Sequence, residues 1–211
     1  MSERRPDAIE TRLEDGAEIC LRPIRPSDKG AIERGIQELS DRSRYMRFFS
    51  SFKSAPPSVV ERLSAVDGFC HIAWGAVMTG EPAAHAVAAA HAIRKDDRPG
   101  TADLAIAVLD EYHHRGISRL LLAALVLDCR AAGIAELTFD ILYANKPAIT
   151  LVKSLGAEQH SKASTVVTYS FEVDATLSRL RGSDAPRGLA DVFAAFGAGW
   201  RRPTGSAVPK T

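Results

Sequence analysis

The stretch AVLDEYHHRGISRLLLAAL, residues 107–125, decides how this chain is read. An apolar run suited to a strand gives way to a polar turn, and an apolar helix starts at Gly116. The first turn of a helix carries unpaired N–H groups and a partial positive charge, so an anion settles there without a lysine. Glycine at the turn keeps side-chain atoms from holding the backbone away. From these residues alone the junction is either a plain strand-to-helix connection or a cradle for a phosphate.

Working downstream, Ile117, Leu120, Leu121, Ala124 and Leu125 recur at helical spacing, and the helix from Gly116 to Ala132 closes on Gly133. AELTFDILY (135–143) alternates as a strand, with Leu137, Phe139 and Ile141 opposite Glu136, Thr138 and Asp140. A short helix over 146–155 stops at Gly156, and a last strand spans 164–173. Upstream, strand-like runs at 69–78, 84–95 and 101–109 are separated by TGEP and DDRPGT, which hold turn residues. The middle run is alanine-rich but reads as strand, because turns fence it at hairpin distance. A strand at 17–24 precedes a helix capped by Ser27, with Ala31, Ile32, Ile36 and Leu39 at helical spacing. A basic, aromatic segment (41–53) and a helix over 56–68, with Pro57 near its first position, follow. The order β-α-α-β-β-β-α-β-α-β predicts an α/β fold with a mixed sheet and helices packed on it.

Composition sets the outer limits. The 211 residues are 45% hydrophobic and 25% charged with a net charge of +1, which suits one ordinary globular domain. Nothing in that balance argues for nucleic acid or a membrane surface as partner. The longest apolar run, LLLAALVL at 120–127, is too short to cross a bilayer, and MSERRPDAIE lacks the apolar segment of a secretory leader. Cys20, Cys70 and Cys129 are odd in number and far apart, so they read as buried free thiols in a reducing cytoplasm. Residues 1–16 lack periodicity and read as a loose arm, leaving 17–173 as the domain. Residues 174–211 form a basic tail containing Gly and Pro. Within it Leu189, Val192, Phe193 and Phe196 mark a short helix, either docked on the domain or facing a partner.

With these elements placed, the chain resembles the GNAT superfamily of acyl-CoA-dependent N-acetyltransferases. That family's pyrophosphate loop reads Gln/Arg-x-x-Gly-x-Gly/Ala, and His113-His114-Arg115-Gly116-Ile117-Ser118 stands in its place. His113, His114 and Ser118 depart from the usual residues, yet the loop donates mainly backbone N–H groups. The resemblance extends over ILYANKPAITLVKSLGAE (141–158) and LRPIRPSDKGAIERGIQELSDRSRYMRFF (21–49), which is especially like the acetyltransferase domain of Pat-type bacterial protein-lysine acetyltransferases. It implies a GNAT fold with a sheet of about six to seven strands and about four helices, acetyl-CoA as cosubstrate and an amine acceptor, protein lysine foremost. A homodimer is compatible with it. It also implies that the diphosphate is held by residues 113–118 with Arg119 nearby. The pantetheine arm then lies along Ile106, Ala107 and Val108, with the N–H of Val108 holding the thioester oxygen. Asn145 matches the position that bonds the pantetheine, and it equally suits a helix cap before Lys146-Pro147.

Acylating an amine requires removing its proton, because a lysine-like ammonium has a pKa near 10.4. Asp103, in ADLA, stands where Pat-like enzymes carry Glu, and partial desolvation at the head of an apolar strand would raise its pKa toward a useful value. The alternative is a hydrated residue beside the Pro99-Gly100 turn. Asp110 and Glu111 read as a solvated rim, and His113–His114 offer no third ligand for a metal. The tyrosine acid found in many relatives is replaced by Val152. The basic segment 41–53 reads as a solvated helix or as an acceptor wall suited to an acidic protein surface. Two functional classes remain: an N-acetyltransferase, on protein lysine or a small amine, and an acyl-CoA-binding module without turnover.

Overall fold

The computed structural model describes residues 5–80, 84–182 and 186–197. Strands β1 (Ile9–Arg12), β2 (Glu18–Pro23), β3 (His71–Met78), β4 (His85–Arg94) and β5 (Thr101–Val108) form an antiparallel meander. β6 (Glu136–Leu142) adds in parallel to β5, and β8 (Val166–Glu172) and β7 (Glu158–Ala163) complete an eight-stranded sheet ordered β1-β2-β3-β4-β5-β6-β8-β7. Helices α1 (Lys29–Glu38), α2 (Asp41–Phe48) and α3 (Pro57–Ser64) precede β3. The others are α4 (Ile117–Ala131), α5 (Lys146–Ser154), α6 (Val173–Leu180) and α7 (Leu189–Phe196).

α4 is the hub of the core. Ile117 and every residue from Leu120 to Cys129 are buried, so this helix is apolar all round, packed between β3, β4, α6 and α7. Its one buried acid, Asp128, accepts hydrogen bonds from Trp74 Nε1 (2.9 Å) and the Arg5 guanidinium (3.1 Å). A smaller cluster, Ile36, Ala55, Val60 and Leu63, holds α1 to α3.

Several expectations need correcting. Residues 9–12 are not a loose arm: they pair with β2 from Ile9↔Leu21 to Arg12↔Glu18, burying Ile9, whose alternation is too brief to see in a charged stretch. β7 was not foreseen either, since all six of its residues are exposed and it therefore lacks an apolar face. Residues 41–48 form a helix in their own right, with Ser40 accepting from the amide of Ser43. Ser27 does not cap α1; that position belongs to Asp28, whose carboxylate is held by Arg22 and by the amide of Arg25. Of the cysteines only Cys129 is buried; Cys70 is exposed beside the Asp67 turn and Cys20 is half-buried on β2. The tail's helix, α7, is docked: Leu189, Val192 and Phe196 are buried, and Phe196 packs 5.5 Å from the Trp74 ring.

Candidate active site

The sheet opens between β5 and β6. The two strands pair only from Thr101↔Glu136 to Asp103↔Thr138 and then separate. The amide of Leu109 donates to Val87 O on the β4 side, so strand alternation turns the backbone groups of Ile106 and Val108 toward the opening. Ile106, Ala107 and Val108 thus form one wall of a cleft of about 610 Å³ that runs to the start of α4.

The turn at the far end is built from two left-handed residues, His114 (φ 60°) and Gly116 (φ 82°). Left-handed residues alternating with ordinary backbone are the pattern by which an anion nest converges successive N–H groups, and His114, Gly116, Ile117 and Ser118 line the cleft. Among the described residues, the amides of residues 114–118 have no hydrogen-bond partner, and Gly116 caps α4 without side-chain help. A Cβ on Gly116 would lie 3.4 Å from Pro186 and would require a left-handed alanine.

The side chains here have separate tasks. His113 donates from Nε2 to Val108 O at 3.0 Å, tying the turn to the strand end. Arg115 points away from the cleft to Asp15 in the β1–β2 turn (2.8 Å), so only its amide remains for a ligand. Ile117 is buried at the helix start, Ser118 lines the cleft, and Arg119 reaches across to Ser154 Oγ on α5 (2.9 Å). Asn145 caps α5 through Oδ1 (3.3 Å to the Ala148 amide) and also lines the cleft, leaving its NH₂ group to a ligand. Asp110 is exposed, as a rim residue would be, yet Ser40 and Ser43 donate to it, and although burial raises its pKa, these bonds hold it below the usual carboxylate range.

Asp103 sits where pairing with β6 ends. Thr138 donates to its carboxylate at 2.7 Å, and Lys95 forms an ion pair with it at 2.9 Å. Its side chain is 61% exposed, so the expected desolvation is absent: strand alternation turns it off the α4 face. About 3.3 Å per residue puts it roughly 10 Å along β5 from Ile106.

Three groups escaped the sequence. Arg44, in the basic segment, is buried and donates to the carbonyls of Ile36, Gln37, Leu39, Phe52 and Lys53, welding α1, α2 and the next loop together. That leaves Arg42 and Lys53 as the exposed cations of this segment, which weakens it as a basic docking face. His71 and His91, on adjacent strands, form a buried pair: Nδ1 of His71 donates to Ala65 O (3.2 Å), so its Nε2 accepts from Nδ1 of His91 (3.0 Å). Nε2 of His91 is therefore unprotonated. Burial, with Arg47 and His71 adding repulsion, holds the His91 pKa well below its ordinary value. The periodicity of β3 and β4 gave each histidine a face but not a partner.

A family model described as Acetyltransferase (GNAT) family matches residues 37–157, more than half of the chain. The chain belongs to the GNAT acetyltransferase family. It is 29% identical over 149 residues to Acetyltransferase Pat of Mycolicibacterium smegmatis, covering 71% of this chain and 44% of that protein. Against Acetyltransferase PA5475 of Pseudomonas aeruginosa it is 24% identical over 68% of this chain and 77% of that one. The GNAT domain of S. lividans PAT superposes with a TM-score of 0.71 at 25% identity, covering 78% of this chain and 96% of that domain. A structure of yncA from Salmonella typhimurium with its cofactor acetyl-CoA shares the fold (TM-score 0.59, 15% identity, 74% and 94% covered). The chain spans less than half the length of the Pat protein it matches.

Proposed function

We propose that this GNAT enzyme transfers an acetyl group from acetyl-CoA to an amine, with a protein lysine as acceptor. The observation that carries the reading is the parting of β5 and β6 before a turn whose amides, 114–118, are unpartnered among the described residues. Acetyl-CoA supplies the activated thioester; the chain supplies position and proton transfer. The amides from His114 to Ser118 fit a diphosphate, and the open edge at Ile106 and Val108 fits the amides of a pantetheine arm. Because His113 already occupies Val108 O, that edge offers Ile106 O as acceptor and the Val108 amide as donor to a developing oxyanion.

Asp103 takes the proton of the attacking amine in this proposal. Its distance along β5 calls for a bridging water, and its partner Lys95 must yield as the acceptor arrives. The sequence resemblance of residues 21–49 to Pat-type protein-lysine acetyltransferases supports protein lysine over a small amine. The test is acceptor-dependent release of CoA. Asp103→Asn is expected to lower kcat/KM by about two orders of magnitude while acetyl-CoA still binds, within the usual range for losing a general base. Unchanged turnover would remove Asp103 from the mechanism.

A further inference from the structure

A second cavity, about 90 Å³, lies under α1 on the sheet face that carries Ala89, His91 and Ala107. It meets the cleft at Leu39, Arg47 and Ala107, which line both spaces. Small residues keep it open. The alanines of β4 line its floor, and a Cβ added at Gly35 would meet nothing within 4 Å. The lining is apolar apart from His91, Asp28 and two arginines with opposite circumstances. Arg22 is answered by both oxygens of Asp28 at 2.8 Å. Arg47 has no carboxylate and no hydrogen-bond acceptor among the described residues; its guanidinium rests 4.7 Å from the Phe48 ring.

Burial, with Arg62 of α3 adding repulsion, lowers the Arg47 pKa to about 10, which leaves it charged at neutral pH. His91 supplies an unprotonated nitrogen and no countercharge. Arg47 is half-buried at the junction of the two spaces with no anion beside it, and a ligand that brings a carboxylate there supplies the missing partner. The charge stands where the cleft's acyl end opens into an apolar space. We propose that this cavity binds a short aliphatic chain ending in a carboxylate, paired with the Arg47 guanidinium. The binding site stands on its own geometry; only the origin of the chain rests on the acyltransferase reading, being either the far end of a carboxyacyl group on CoA or part of the amine acceptor.

The probe is butyrate against 1-butanol, titrated without any CoA and followed by the amide resonances of Gly35, Ala89 and Ala107. Butyrate is expected to saturate these shifts at least about ten-fold more tightly than 1-butanol. Arg47→Met should erase the difference and Arg47→Lys retain part of it. Butyrate should also raise the Tm of the wild type more than that of Arg47→Met; equal shifts in the two would count against the proposal. Equal binding of the two probes, or no saturable response to butyrate, overturns it. Succinyl-CoA against butyryl-CoA, and 4-aminobutyrate against butylamine, then separate the two origins, a preference for the charged member of either pair supporting the site. Butyrate binding in a protein that binds no acyl-CoA would keep this proposal and refute the proposed function.

Discussion

Arg44 and Arg47 stand three positions apart on α2, yet the fold treats them in opposite ways. Arg44 satisfies five carbonyls, so Arg44→Ala should cost roughly 3 kcal/mol in urea unfolding by leaving buried acceptors without donors. The buried histidines give a pH signature. His71 and His91 have pKa values lowered mainly by burial, so the unfolded chain binds more protons than the folded one below about pH 6.5. Stability is thus full above that pH and falls as pH drops from about 6.5 toward the lower folded values. The slope reaches about 1.4 kcal/mol per pH unit for each histidine. Urea midpoints between pH 7.5 and 5 should show this fall, and His91→Asn should flatten it. Composition announced the basic charge of residues 41–53 but not its direction, because which arginine turns inward depends on carbonyls brought together by the α1–α2 turn.

At the scale of elements, the unit β5–turn–α4 was legible because strand alternation, two turn glycines and helical spacing all agree over residues 101–133. Gly116 and Gly133 both have positive φ, at 82° and 78°, but only the first lines the cleft. Alanine at either position should cost about 1–2 kcal/mol of stability. Gly116→Ala should also weaken acetyl-CoA binding, measured by calorimetry, whereas Gly133→Ala should not. Equal affinities in the two variants would mean that the turn takes no part in binding. His114 was harder to foresee as left-handed, since that conformation comes from the turn around it and not from its own preference. β1 and β7 were illegible for a related reason: one is short and charged, the other wholly exposed, and only their partner strands define them.

For the molecule as a whole, the C-terminal segment closes the structure. α7 lies against α4 and β1, Phe196 meets Trp74, and Pro186 rests beside Gly116. Phe196→Ala should lower stability by about 3 kcal/mol through a cavity beside Trp74, read as a drop in Tm. A chain ended after Gly182 should lose more, and its acetyl-CoA affinity should fall as the turn loses Pro186. The apolar spacing at 189–196 revealed this helix, while its seat between α4 and β1 required the three-dimensional arrangement. In the same way, the sequence resemblance located Asp103 but not Lys95 and Thr138, the partners that define its surroundings.

The central claim is that backbone amides at the start of α4 hold the diphosphate of an acyl-CoA. Titrating ¹⁵N-labelled protein with CoA tests it directly. The account predicts that the largest amide shifts fall on residues 114–118, with smaller ones at Ile106 and Val108. Saturable binding that leaves those amides unmoved and shifts another part of the sheet would contradict it.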